Sequence, residues 1–123
     1  MSFPPLVLEA FRVKHEVDIE TRSAKGETHR VTIWIVVVDG VPYVRSVRAA
    51  KGRWFRELMR HGEGAIHVGR QRVPVRARLV TDAGENARIS EAIEGKYDRP
   101  RASVLAMLRP EVIPTTARLD PLS

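Results

Sequence analysis

The chain has 123 residues, 43% hydrophobic and 29% charged, enough for one core and too few for two. It has no cysteine, which excludes disulfides, thiolate catalysis and cysteine-held zinc or iron–sulfur sites. The net charge is +6, and Pro4-Pro5 falls where a secretory signal would need an apolar run, so the cytoplasm is the expected compartment.

Residues 1–14 read as an arm, with a short helix over 5–12 carrying Leu6, Leu8 and Phe11. Val17, Ile19 and Thr21 alternate with Asp18, Glu20 and Arg22, as in a half-exposed strand over 15–23. Lys25-Gly26-Glu27 turns the chain into a strand over 29–38 that is apolar on both faces. Val31, Ile33, Ile35 and Val37 fill one face; Trp34, Val36 and Val38 fill the other, so both need cover. Asp39-Gly40 is a hairpin signal, because a two-residue type I′ turn needs positive φ that glycine adopts at little cost. The returning strand spans 41–48. Over 52–61, Trp54, Phe55, Leu58 and Met59 recur at helical spacing, with Arg53, Arg56, Glu57 and Arg60 facing away, and Gly62 and Gly64 end the helix. Strands over 65–69 and 72–81 flank a loop at Gly69-Arg70-Gln71. Asp82 followed by Glu85 predicts a capping box opening a helix to about Tyr97. Pro100 breaks that helix, a further turn or two covers 102–109, and a last strand covers 112–119. Six mostly antiparallel strands with two helical insertions predict a single α+β, mainly β domain: a small barrel flanked by helices.

Charge is concentrated. Residues 45–78 hold ten Arg or Lys against two acids, a net +8, so the remainder is slightly acidic. Arg45, Ser46, Arg48, Lys51 and Arg53 gather between a strand end and a helix start, an arrangement suited to a phosphate-bearing ligand. The competing reading is a solvated or ion-paired surface, with Trp54, Trp34 and Tyr97 packing as core.

The order of these features resembles the split β-barrel of the pyridoxamine-phosphate-oxidase-like flavin proteins, and more closely their deazaflavin-dependent nitroreductase branch and its uncharacterised bacterial relatives. The resemblance is carried by Trp34 with its apolar strand, Asp39-Gly40, Tyr43-Val44-Arg45, Lys51-Gly52 and Trp54-Phe55 opening a helix. It implies a six-stranded antiparallel split barrel, a homodimer, and a groove for FMN or the 8-hydroxy-5-deazaflavin coenzyme. It places Arg45, Ser46, Lys51, Gly52 and Arg53 by the phosphate, with Trp54 packing at the helix start; Trp34 is a further candidate for ring contact. The branch pattern Ser-Lys-Gly-Gly, with Pro shortly before the Trp, is replaced here by Ala49-Ala50-Lys51-Gly52-Arg53-Trp54, so cofactor identity and retention both stay open.

The implied activity is an oxidoreductase passing hydride to a planar electrophile such as a nitro compound, quinone or enone. Two alternatives stand: a non-catalytic module for a nucleotide, haem or other anionic ligand, and a nucleic-acid-binding barrel, which the few, unclustered aromatics disfavour. No catalytic residue is assigned. The four histidines suggest no metal site, and no apolar run approaches the ~20 residues of a membrane span.

Overall fold

The computed structural model describes residues 2–98 and 100–122. Helix α1 spans Pro5–Val13, and Pro at its first turn supplies a pre-set φ without losing a needed donor. Strands β1 (Val17–Arg22) and β2 (Thr28–Ile33) form the first hairpin; β3 (Val36–Val38) and β4 (Val41–Val44) form the second. A 3₁₀ turn at Ala49–Lys51 leads into α2 (Arg53–His61), and β5 (Glu63–Val68) and β6 (Gln71–Leu79) follow. Then come α3 (Ala83–Lys96), α4 (Arg101–Ala106) and β7 (Ala117–Pro121).

Among the described residues there are seven strands, not six. The extra one arises because the expected 29–38 strand breaks at Trp34-Ile35 into β2 and β3. All neighbours pair antiparallel, in the order β2-β1-β5-β6-β7-β4-β3, so the two halves of that strand lie at opposite edges of the sheet. Three Cα steps from Ile33 to Val36 cover at most about 11 Å. The edges must therefore meet, and the sheet curls into a barrel split at this point.

The break is held by side chains from the end of α3. Lys96 Nζ donates to the carbonyls of Ile35 and Phe11, each at 2.7 Å. The Tyr97 hydroxyl accepts the Ile35 N–H at 3.1 Å and donates to the His15 carbonyl at 2.7 Å, with the Ile35 carbonyl 3.0 Å away. These contacts satisfy a buried peptide that has left the ladder and join α1 to the seam.

Several local signals determine their elements directly. Asp39 and Gly40 both have positive φ, 51° and 76°, and join Val38 to Val41 as a two-residue hairpin. Gly62, at φ 72°, ends α2 in the left-handed conformation. The capping box at α3 is half made: Asp82 accepts the Glu85 N–H at 2.8 Å, but the Glu85 carboxylate accepts the Tyr43 hydroxyl at 2.8 Å instead of turning back. Two apolar clusters result. One fills the barrel with Ile19, Leu58, Ile66, Val75 and Leu119 beneath α1 and α2; the other packs α3 and α4 on Val36 and Tyr43.

Glu57 was expected on the exposed side of α2 and is buried. It accepts the Thr21 hydroxyl at 2.8 Å and lies 3.0 Å from His29 Nδ1, docking the helix on the β1–β2 hairpin. On the outer sheet face, Glu20 accepts from Arg72 at 2.7 and 3.0 Å and lies 2.6 Å from His67. The Arg72 hydrogen bonds, aided by His67, pull the Glu20 carboxyl down to about 2. A depressed carboxylate pKa stabilises the fold above the unfolded value, about 4.3. That contribution should fade as pH falls from there toward 2. Urea unfolding of Glu20→Gln should show a flatter loss of stability across this window than the wild type; parallel pH profiles would refute the role.

Candidate functional site

The corner where sheet gives way to α2 is built from Arg45, Ser46 and Gly52. Arg45 follows β4 and is 2% exposed. Its five N–H donors all meet acceptors of this chain: Nε reaches Thr116 Oγ1 at 2.7 Å, and one terminal nitrogen reaches Ser90 Oγ at 3.0 Å and the Met107 carbonyl at 3.1 Å. The other reaches the Asn86 carbonyl at 3.0 Å and, more weakly, Asn86 Oδ1 at 3.4 Å. No carboxylate is among these partners. Burial lowers the guanidinium pKa to about 10, still charged at neutral pH. The Met107 carbonyl belongs to the C-terminal end of α4, where unpaired backbone dipoles favour a cation. Arg45 thus presents no spare donor to a phosphate in this arrangement. It joins β4, α3, α4 and the approach to β7.

Ser46 is likewise consumed. Its N–H donates to Thr115 Oγ1 at 3.0 Å and its hydroxyl to the Ala49 carbonyl at 2.8 Å. Ala49, at φ 56°, makes the turn, and its N–H returns to the Ser46 carbonyl at 2.9 Å. Gly52 is buried against this turn: a Cβ there would collide with Ser46 Oγ. Its φ of −61° suits any residue, so space and not backbone conformation requires the glycine. Lys51 and Arg53 are exposed on the outside of the same turn.

Beside the corner lies a cleft of about 290 Å³. Val31, Ile33, Trp34, Trp54 and Met107 supply most of its apolar wall; Arg45 contributes to the lining, and Arg48, Glu16, Thr32 and Ser103 its remaining polar groups. Two larger hollows, about 530 and 510 Å³, have no aromatic residue in their walls. The Trp34 ring stacks on Tyr97 with centroids 4.0 Å apart and planes 2° from parallel. Trp54 is buried at the start of α2, edge-on to Phe55 at 6.3 Å.

The structure therefore brings Trp34, Trp54 and Arg45 to one cleft, puts Lys51 and Arg53 on the neighbouring turn, and uses Ser46 and Gly52 to shape that turn. Ser103 of α4, Met107 at its C-terminal cap and Glu16 between α1 and β1 carried no sequence signal for the cleft, because only the tertiary fold places them here. Val31 and Ile33 were visible as an apolar face but not as a cleft wall. His29 and His67 each meet one carboxylate, and among the described residues no group of three His, Asp or Glu could hold a metal.

A family model for uncharacterised proteins conserved in bacteria (DUF2255) matches residues 7–119. The chain belongs to that family. No curated protein matches it in sequence. Its fold is similar to that of a candidate pyridoxamine 5′-phosphate oxidase from Listeria innocua, at 15% identity and a TM-score of 0.69 over 96% of this chain and 92% of that one. It is also similar to HutZ, a haem storage protein from Vibrio cholerae, at 15% identity and a TM-score of 0.68 over 100% and 92%. An F420-H2-dependent reductase, FDR-A, matches at 17% identity and a TM-score of 0.64 over 87% and 95%. These likenesses identify the fold as a pyridoxamine-phosphate-oxidase-like split barrel.

Replacing Arg45 by Ala should cost at least about 3 kcal/mol, since several buried acceptors lose their donor together. Arg45→Lys should recover only part, having three donors for five positions. Urea unfolding measures both, and a loss under about 1 kcal/mol for the alanine variant would contradict the role. Gly52→Ala should destabilise by about 1–3 kcal/mol through overpacking against Ser46, and adding Ser46→Ala should restore part of that loss.

Proposed function

We propose that this chain is an oxidoreductase that binds FMN or the 8-hydroxy-5-deazaflavin coenzyme in the Trp34–Trp54 cleft. The observation that carries this reading is an apolar, aromatic-walled cleft with a cation in its lining, next to a turn whose cationic side chains make no ion pair or hydrogen bond. Among the described residues, the side chains of Arg48, Lys51 and Arg53 make no ion pair or hydrogen bond, and the carboxylate of α2, Glu57, is turned inward. An apolar cleft with a few polar groups suits a planar ring, and free cations outside it suit the ring's phosphate.

When bound, such a ring would supply the hydride chemistry, which accounts for a site without a conspicuous acid–base pair. The residues divide the remaining work. Val31, Ile33, Trp34, Trp54 and Met107 exclude water from the ring and orient it. Arg48, Lys51 and Arg53 hold the phosphate, while Arg45, Ser46 and Gly52 fix the turn that carries them. The electron acceptor is a small planar electrophile, such as a nitro compound, quinone or enone, able to lie against a ring in the same slot.

At about 290 Å³ the cleft is at the lower end for small-molecule sites, roughly 300–1,000 Å³. Val47 in its lining and Leu105 on α4 are 44% and 50% exposed. A second copy of the chain would cover these residues and complete the enclosure, so the active form is proposed to be a homodimer.

A second reading is a non-catalytic module holding a nucleotide, haem or other anionic ligand. It is favoured by the closed corner: with the donors of Arg45 and Ser46 consumed, the phosphate grip rests on exposed side chains alone. Titration with FMN, the deazaflavin coenzyme and haem, followed by absorbance, separates the two. Arg48→Ala with Lys51→Ala should weaken FMN or deazaflavin binding by roughly 10-fold or more, the loss of one to two charge-assisted contacts, with unfolding unchanged. Unaltered affinity in the double variant would place the phosphate elsewhere, and no binding of either cofactor by the wild type would end the first reading.

A further inference from the structure

We infer that Tyr97 is the positioning residue of the cleft, holding Trp34 as a fixed wall against which a planar ring stacks. This rests on the proposed cofactor site. The need for such a residue follows from the break: Trp34 lies outside both β2 and β3 and is only partly buried, so ladder neighbours on neither side set its ring. Tyr97 substitutes for them. It is 2% exposed, and its ring lies parallel to the indole at 4.0 Å. A parallel pair at this spacing allows the indole little rotation without losing contact.

Tyr97 is itself anchored to the same peptide. Its hydroxyl engages the Ile35 N–H and the His15 carbonyl, and the His15 ring meets it edge-on at 5.6 Å. The preceding residue, Lys96, holds the Ile35 carbonyl and spans to Phe11. The backbone that carries Trp34 and the ring that orients it are therefore fixed from one point, the end of α3. A wall ordered before binding spares the ligand the cost of immobilising a rotamer-rich side chain. Glu16, also in the cleft lining, directly follows His15, so the arm's end is held by the same tyrosine.

The test separates positioning from simple stability. Tyr97→Leu removes the stack, and Tyr97→Phe keeps it. Affinities for FMN and the deazaflavin coenzyme are measured well below each variant's unfolding temperature. Acrylamide quenching of Trp34 fluorescence is measured in a Trp54→Phe background. The leucine variant should bind roughly 5- to 10-fold more weakly, the cost of one newly mobile side chain, and quench more readily. The phenylalanine variant should stay within about twofold of wild type in affinity, with quenching near wild type, even where its stability falls. Should the leucine variant not fold, Tyr97→Met carries the same test. Unchanged Trp34 quenching without the aromatic ring would overturn the inference, as would unchanged cofactor affinity. If the wild type binds neither cofactor, the proposed function fails while quenching still decides whether Tyr97 fixes the wall.

Discussion

A buried guanidinium without a carboxylate partner dominates the architecture beside the cleft. Arg45 reaches three separate stretches of chain, α3, the end of α4 and the approach to β7, through neutral oxygens of Asn86, Ser90, Met107 and Thr116. The desolvation cost of a buried cation is offset only if every donor is met, so these segments are fixed jointly or not at all. Because α3 and α4 otherwise rest on the β3–β4 hairpin mainly through apolar contacts, the cation and the Tyr43–Glu85 hydrogen bond supply the directional part of that packing. The cleft inherits its shape from this: Met107 gives its carbonyl to Arg45 and its side chain to the wall.

The seam at Trp34-Ile35 is the second constraint, and it depends on the first. Closing the barrel takes β2 and β3 out of register with a common neighbour, leaving the Ile35 peptide with no strand to bond. Lys96 and Tyr97 satisfy it from the end of α3, the same helix whose Asn86 and Ser90 hold Arg45. Burial lowers the Lys96 ammonium to about 8 and raises the Tyr97 phenol to about 12. Both shifts reflect polar heads drawn into an apolar seam to reach one peptide. A single helix thus closes the barrel at one end and organises the helical layer at the other, with the cleft between these two anchor points.

What the sequence made legible follows from the range over which each choice is decided. The Asp39-Gly40 hairpin, the Gly62 helix end and the Asp82 cap depend on a few adjacent residues, and each formed where its residues stand. The break in the 29–38 strand was hidden, because an apolar run reads alike whether it pairs along its length or crosses from one sheet edge to the other. Its cause, Tyr97, lies 62 residues from Ile35. Arg45 was identifiable as a cation at a strand end, but its acceptors lie 41 to 71 residues away, and without them such a guanidinium looks available for phosphate. Glu57 misled for the same reason: helical spacing put it among exposed arginines, while Thr21 and His29 across the sheet drew it inside.

The distribution of paired and unpaired charge bears most directly on what approaches the cleft. On the sheet, arginines meet acids: Arg30 with Asp18 at 3.1 Å, Arg72 with Glu20 at 2.7 Å, Arg22 with Glu63 at 3.7 Å and Arg118 with Asp120 at 3.1 Å. These exposed pairs contribute little stability individually, but they neutralise the field over most of that face. The turn and outer side of α2 have less such neutralisation: Glu57 faces inward, where Arg53 still helps to lower its pKa, and among the described residues the side chains of Arg48, Lys51, Arg53, Arg56 and Arg60 make no ion pair or hydrogen bond. Arg53 and Arg56 even sit in the first turn of α2, where the helix dipole opposes cations. A chain that leaves this repulsion unrelieved while pairing Arg22, Arg30, Arg72 and Arg118 on the sheet concentrates positive potential next to one apolar slot. An anion arriving there relieves the repulsion as it binds, so attraction and accommodation act at the same place.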